Sequence, residues 1–357
     1  MKPYVELTHR GKMRRMGRLA QAALEAYGLA DAPLRLFLDN GNIIYRVKDV
    51  QVPRLAPVDD ANDLFFENDC ALRIHQPGYH EGDEAIASEL AWLAALRRDA
   101  ALPVPEPVPT LEGELMAQVA VPGVEGPRNC SLLRWVKGRL LTKGIGPRHL
   151  RAQGRLMARM HDHAAHWVPP QGFARLSYDW EGLCGEGTGT GLPASTIWEL
   201  VPERYYGPFA LVAHELGQVM EAWGTGPDVY GLIHADLGVD ANLIFWRGEA
   251  RAIDFDDCRF GYWMFDLAVA LEHCQEDKVF TQFRDALLEG YAEIRSLPQE
   301  QAQRLPLFLS AVNVMILVWS VAVIHLFGES RFWRQRLERA GKLLERYVSG
   351  DDRLVRT

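Results

Sequence analysis

Residues 230–267 read YGLIHADLGVDANLIFWRGEARAIDFDDCRFGYWMFDL, and the fold of the chain turns on them. Gly231-Leu-Ile-His234 is a short apolar strand that runs into a polar loop, and two further strands, 243–246 and 250–253, flank Arg247-Gly-Glu249. Paired antiparallel about that turn, they bring Asn242 opposite Asp254 at the open end of a hairpin. An amide oxygen facing a carboxylate makes a pair of hard oxygen donors, which a small divalent cation such as Mg2+ takes together with phosphate and water. Asp236, upstream in the same loop, is then a carboxylate able to approach a substrate hydroxyl beside the metal. Taken singly, each is an ordinary loop residue. The set His-x-Asp, Asn and Asp-Phe-Asp, spaced between strand-like runs, is what points to a site.

Working upstream, residues 34–38 and 43–47 flank Asp39-Asn-Gly-Asn42, a strong hairpin signal. A polar excursion with Pro53, Pro57, Asp59 and Asp60 follows, then strands over 63–66 and 71–75 with Glu67-Asn-Asp69 as their turn. Residues 85–98 carry apolar side chains at helical spacing, and the proline-rich run 102–109 ends that helix as a stiff connector. Further strands are expected at 115–121 and 131–136. From Arg148 onward the pattern is helical, apart from one β insertion around 230–255. Strands first and helices later predict an α+β fold. Its parts are a helical extension over 1–30, a small β-rich lobe over 31–134, a boundary at 135–139 and a larger, mainly helical lobe over 140–357.

His234-Ala-Asp236 and Asn242, followed by Ile253-Asp-Phe-Asp256, resemble the catalytic signature of the aminoglycoside phosphotransferase family. That kinase-like group also contains choline kinases, type II homoserine kinases and a bacterial stress-response kinase acting on proteins. Tyr45-Arg-Val47, Leu72-Arg-Ile-His75, Ser88-Glu-Leu-Ala-Trp92, Leu156-Met-Ala-Arg-Met-His161 and Asp266-Leu-Ala268 agree with it, so the resemblance covers roughly residues 30–345. It implies a bilobal protein-kinase-like fold. It also implies ATP- and Mg2+-dependent transfer of the γ-phosphate to a hydroxyl of a small, amine-bearing molecule of the homoserine, amino alcohol or aminoglycoside kind.

On this resemblance Asp236 is the catalytic carboxylate that orients and deprotonates the accepting hydroxyl, and Asn242 and Asp254 hold Mg2+ against the phosphates. Arg73 holds the phosphates from a small-lobe strand, and Glu89 on the next helix pairs with it. Asn40 and Gly41 belong to the turn that covers the phosphates, and the backbone of Trp135 and Val136 faces the adenine. Phosphoryl transfer asks mainly for positioning and charge neutralisation, so these few residues suffice. Two departures stand out. Arg73 occupies a position where the wider fold has lysine, and the two cations differ in geometry. The loop from Asp236 to Asn242 is one residue longer than the common pattern, which leaves open whether Asn242 or Asp240 meets the metal. Asp256 and Asp257 are either further cation-binding carboxylates or caps of the next segment.

The 357 residues, 48% hydrophobic with a formal charge of −8, exclude a disordered chain and argue against a nucleic-acid partner. Five cysteines with no CxxC spacing read as reduced thiols in a cytoplasmic protein, and the N-terminus lacks the apolar core of an export signal. Residues 305–328 carry no Asp, Glu, Lys or Arg, long enough to span a bilayer. Ser310, Asn313 and Ser320 near one helix face, with His325, make a buried helix the expectation there, and no membrane association. The run 185–191, GEGTGTG, lacks the spacing of a phosphate loop, and His161, His163 and His166 do not share a helix face as metal ligands would. Two competing functions are a protein Ser/Thr kinase, which would autophosphorylate, and a non-catalytic nucleotide-binding module, which ATP would stabilise without turnover.

Overall fold

The computed structural model describes residues 3–54, 64–77 and 82–350. Pro57, Asp59, Asp60 and Asp63 of the predicted excursion and strand lie outside the described residues. In chain order the helices are α1 (His9–Glu25), α2 (Asp83–Ala100), α3 (Pro147–His166), α4 (Trp180–Cys184), α5 (Ala194–Leu200), α6 (Glu203–Trp223), α7 (Trp263–Leu271), α8 (Phe280–Ala292), α9 (Gln299–Gln303), α10 (Leu305–Phe327) and α11 (Arg331–Val348). The strands are β1 (Leu34–Asn40), β2 (Asn42–Val47), β3 (Phe65–Ile74), β4 (Pro107–Val108), β5 (Ala117–Val119), β6 (Arg128–Val136), β7 (Arg139–Leu140), β8 (Ser177–Tyr178), β9 (Tyr230–Ile233), β10 (Leu243–Trp246), β11 (Glu249–Ala252) and β12 (Arg259–Tyr262). Two compact units form. The first comprises Met1–Arg139, Val168–Ala174 and Arg251–Asp256, and the second the remainder. Two segments of the stretch read from the sequence as one lobe over 140–357 therefore fold with the first unit, among them the Asp254-Phe255-Asp256 run.

The first unit is built on an antiparallel sheet of order β1-β2-β3-β6-β4, with β5 also pairing to β6. Residues directly opposite one another in such a sheet share a face. Tyr45, Leu72 and Leu132 are in register, as are Ile43, Ile74 and Cys130, and these bury against Met16, Leu19, Ala23 and Leu24 of α1. Each large apolar side chain removed from water there contributes about 1.5–3 kcal/mol. The opposite face carries Ile44, Arg73 and Ser131 in one row and Arg46, Ala71 and Leu133 in the next. Period-two alternation thus places Arg73 mid-sheet, on the face that α1 leaves open.

Three sequence expectations need correction. The two strands predicted at 63–66 and 71–75 are one, β3. Glu67-Asn-Asp69 is no turn: it lies inside β3, which pairs with β2 only from Ile74 to Cys70, and its extra residues are absorbed as an irregularity against β6 between Phe65 and Cys70. Within the 102–109 connector, Pro107 and Val108 form an edge strand, where a missing N–H is tolerated. The turn between β10 and β11 is Arg247-Gly248, with φ of 50° and 85°, the two-residue geometry that matches strand twist. It is one residue shorter than the turn from which Asn242 and Asp254 were read as opposite.

The second unit is mainly helical, but β8 and β12 add strands to it that the sequence pattern did not show; with β9 they form a small sheet of order β8-β12-β9. Helix α10 is the one helix among the described residues long and apolar enough to cross a membrane, and most of it is buried, packed on α6, α7 and α11. Helices α3 and α8 pack closely because glycines face backbone at their crossing. A Cβ at Gly154 would lie 2.1 Å from the Leu287 carbonyl oxygen, and one at Gly290 would lie 2.1 Å from that of Arg151.

Candidate active site

In the first unit the candidate residues gather around Arg73. Its Nη2 donates to both carboxylate oxygens of Glu89 at 2.7 Å, and its Nη1 lies 3.6 Å from Asp254 Oδ1. Glu89 comes from the buried side of α2, whose Ser88 hydroxyl accepts the Ala174 N–H at 2.8 Å and whose Trp92 meets Phe255 edge-on at 5.5 Å. Burial opposes the charge on Arg73, but Glu89, Asp256 and Asp254 outweigh it and raise its pKa above the ordinary arginine value. Arg73 is therefore a fixed cation. Asp254 adopts φ 62°, a left-handed conformation that costs a non-glycine residue energy and recurs at functional sites. Its side chain remains 38% exposed, so it can reach a ligand.

Asp256 is buried and accepts a hydrogen bond from Asn42 Nδ2 at 3.0 Å, while Asn42 Oδ1 accepts the Gln76 N–H at 3.1 Å. Sequence reasoning named Asn42 only as part of a turn. It in fact ties the end of the β1–β2 hairpin to the Asp254-Phe255-Asp256 segment. Gly41 forms the tip of that hairpin with φ 75°, between the paired residues Asn40 and Asn42. Only the backbone of Asn40 is among the described residues. Trp135 and Val136 end β6, with Val136 opposite Phe65 and the Trp135 ring held between Phe37, edge-on at 4.8 Å, and the Arg46 guanidinium at 4.7 Å.

In the second unit the candidate residues lie on the loop after β9. Asp236 is exposed, and Asn242 donates from Nδ2 to its Oδ2 at 2.7 Å and to its carbonyl oxygen at 3.0 Å. Ala235, just before it, has φ 66°, and its N–H donates to Asp266 Oδ1 at 2.8 Å. Asp266 Oδ2 accepts the His234 N–H at 3.2 Å and faces His161 Nε2 at 3.0 Å. Burial pushes the Asp266 carboxyl up. The hydrogen bond from His161 leads the opposing causes, with the Ala235 N–H beside it, and the carboxyl stays below the usual carboxylate range. Asp266 is thus an ionised anchor under the loop. The sequence showed it only as part of Asp266-Leu-Ala268, without a role.

The remaining carboxylates lie elsewhere in the second unit. Asp240 is exposed, 3.9 Å from His273 Nδ1. Asp257 pairs with Arg259 at 3.2 Å, and that guanidinium covers the ring of Tyr178 at 4.1 Å. Among the described residues no three His, Cys, Asp or Glu side chains group to hold a metal by themselves. Each unit carries an oxygen donor of the kind Mg2+ takes: in the first, the accessible carboxylate of Asp254; in the second, the amide oxygen of Asn242, whose nitrogen is engaged by Asp236.

The profile of the phosphotransferase enzyme family matches residues 60–303. The chain belongs to that family. Among solved structures, this phosphotransferase is similar to a microcompartment-associated aminopropanol kinase, with 29% identity, 95% of this chain and 99% of that chain covered, and a TM-score of 0.74. An amicoumacin kinase in complex with AMP-PNP and Ca2+ is 22% identical over 95% of this chain and 96% of its own, with a TM-score of 0.68. A choline/ethanolamine kinase family protein from Mesorhizobium loti is 14% identical over 95% and 98%, with a TM-score of 0.60. These last two show the fold alone. A search of the curated proteins finds no match. The α+β architecture is the protein-kinase-like fold of the family, and the enzyme is a phosphotransferase that acts on hydroxyl groups.

Proposed function

We propose that this phosphotransferase moves the γ-phosphate of ATP, with Mg2+, to the hydroxyl of a small amino alcohol. The observation that carries the chemistry is the exposed Asp236, held by Asn242 at 2.7 Å on a loop whose strained Ala235 is pinned to Asp266. A carboxylate presented in this way can orient an alcohol and take its proton as the phosphoryl group arrives. Asn242, through its oxygen, and Asp254 are the residues to hold Mg2+. Asn242 is favoured over Asp240 because it is the one bonded to Asp236, whereas Asp240 faces His273. When bound, the cation neutralises charge on the phosphates. Arg73, fixed by Glu89, supplies a second positive charge to them, and Asn42 sets the hairpin tip beside Asp256. The amino alcohol class is supported by the likeness to the aminopropanol kinase over nearly the whole chain.

The test is an ATP-consumption screen over 1-amino-2-propanol, ethanolamine, choline, homoserine and aminoglycosides. An amino alcohol is expected to give the highest kcat/KM. Asp236→Asn is expected to lower kcat by about 10²–10⁴-fold, the usual worth of a general base, while Mg-ATP still raises the melting temperature. Wild-type turnover in Asp236→Asn would overturn the mechanism.

A further inference from the structure

We propose that His161 and Tyr291 are positioning residues which lock the loop carrying Asp236 through a single tautomer of the His161 imidazole. The inference rests on the reading of Asp236 as the residue that meets the accepting hydroxyl. His161 is fully buried on α3, stacked on Trp263 at 4.6 Å, with Nε2 at 3.0 Å from Asp266 Oδ2 and Nδ1 at 3.0 Å from the Tyr291 hydroxyl. An ionised carboxylate only accepts, so Nε2 carries the proton. Nδ1 is then a lone pair, and the Tyr291 O–H must donate to it. Burial keeps the Tyr291 phenol protonated, and burial likewise keeps the imidazole neutral against the pull of Asp266. The order of donors is therefore fixed from α8 to the loop: Tyr291 O–H to His161 Nδ1, His161 Nε2–H to Asp266, and Asp266 as acceptor of the His234 and Ala235 N–H groups.

Each link is imposed by packing. Gly154 and Gly290 let α3 and α8 touch backbone to backbone, which brings the His161 and Tyr291 rings to 5.5 Å. Arg295, whose charge acts on Tyr291, reaches Asp162 at 3.4 Å and the Pro227 carbonyl at 2.6 Å, and so fixes the outer end. One α3 turn pair earlier, Gln153 Nε2 donates to the Leu237 carbonyl at 2.7 Å, so α3 grips the loop on both sides of Asp236. Without the Nε2–H donor, Asp266 turns from the loop and Ala235 relaxes from its left-handed conformation. Asp236 then swings by the ångström or so that costs about a hundred-fold in rate.

Steady-state kinetics with Mg-ATP and 1-amino-2-propanol test this in Tyr291→Phe, His161→Leu and His161→Gln, with circular dichroism to confirm folding. Leucine removes the donor, whereas the glutamine amide nitrogen reaches the place of Nε2. Loss of kcat is expected to be about ten-fold for Tyr291→Phe and about a hundred-fold for His161→Leu, with most of it recovered in His161→Gln and KM for ATP unchanged. Two-bond ¹H–¹⁵N spectra of histidine-labelled protein are expected to show His161 as the Nε2–H tautomer, and a tautomer mixture in Tyr291→Phe. Equal losses in the leucine and glutamine variants, wild-type kcat in a folded His161→Leu, or an Nδ1–H tautomer would each overturn the proposal. Should the wild-type enzyme leave 1-amino-2-propanol unphosphorylated, the acceptor reading alone falls. The spectra and the basal hydrolysis of Mg-ATP then decide the lock in the same sense.

Discussion

Replacing Glu89 by glutamine removes the charge that Arg73 is built against. Both side chains are almost wholly buried, 3% and 1% exposed, so solvent cannot screen the loss. Breaking a buried pair from one side costs about 3–5 kcal/mol, because the survivor is left uncompensated in a poorly polarisable interior. Here the figure belongs at the lower end, about 3 kcal/mol. Arg73 keeps Asp254 at 3.6 Å and the charge of Asp256, and the glutamine oxygen can still accept one of the two bonds. For a unit of roughly 150 residues, that is a fall in Tm of roughly 6–12 °C. Scanning calorimetry reads it directly, and initial rates at varied ATP should show a raised KM as the guanidinium leans toward Asp254. The double variant Arg73→Met with Glu89→Leu separates the electrostatic account from simple loss of packing. Replacing a buried pair by apolar side chains is often neutral, so its Tm should return toward wild type while the KM for ATP stays raised. A Tm for Glu89→Gln within about 1 °C of wild type, or a double variant as unstable as both single changes combined, would refute the reasoning.

Gly154→Ala is expected to destabilise by about 1–3 kcal/mol, seen as a lower urea midpoint, although alanine is otherwise the better helix former; the new methyl meets the Leu287 carbonyl at 2.1 Å. Burial holds the pKa of His161 below its ordinary value, so the unfolded chain takes up that proton first as pH falls below about 6.5. The stability it contributes is complete above that pH and declines as pH drops toward the folded value. Tm should therefore fall more from pH 7.5 to 5.5 in the wild-type protein than in His161→Gln, and parallel curves would contradict this. All five cysteines are buried, and the thiols of Cys70, Cys130, Cys184 and Cys274 are pushed up to about 12, chiefly by burial. The native protein should leave a thiol reagent unreacted at pH 8, with five equivalents appearing in denaturant.

The sequence by itself determined the class of fold, and it marked the stretch in which we propose the chemistry. Strand periodicity followed by helical periodicity marks the two halves, and Asp236, Asn242 and Asp254 lie close enough along the chain for their pattern to be legible. Short-range spacing needs no knowledge of what packs on what, which is why His-x-Asp and Asp-Phe-Asp could be read together. The same locality explains the misreadings. Glu67-Asn-Asp69 has turn composition, yet it lies inside the single strand β3, and a one-residue difference in the β10–β11 turn shifts the register read for Asn242 and Asp254. Only the tertiary structure decided what fixes the site. It joins Asn42 to Asp256 across 214 residues and His161 to Asp266 across 105, through bonds with no echo in local composition. It also divides the carboxylates of the Asp-Phe-Asp run by partner, giving Asp254 to Arg73, Asp256 to Asn42 and the next residue, Asp257, to Arg259. Hydrogen bonds between distant segments form only after two buried surfaces have met. That meeting depends on side-chain volume at the contact, here on Gly154 and Gly290, and spacing along the chain does not encode it.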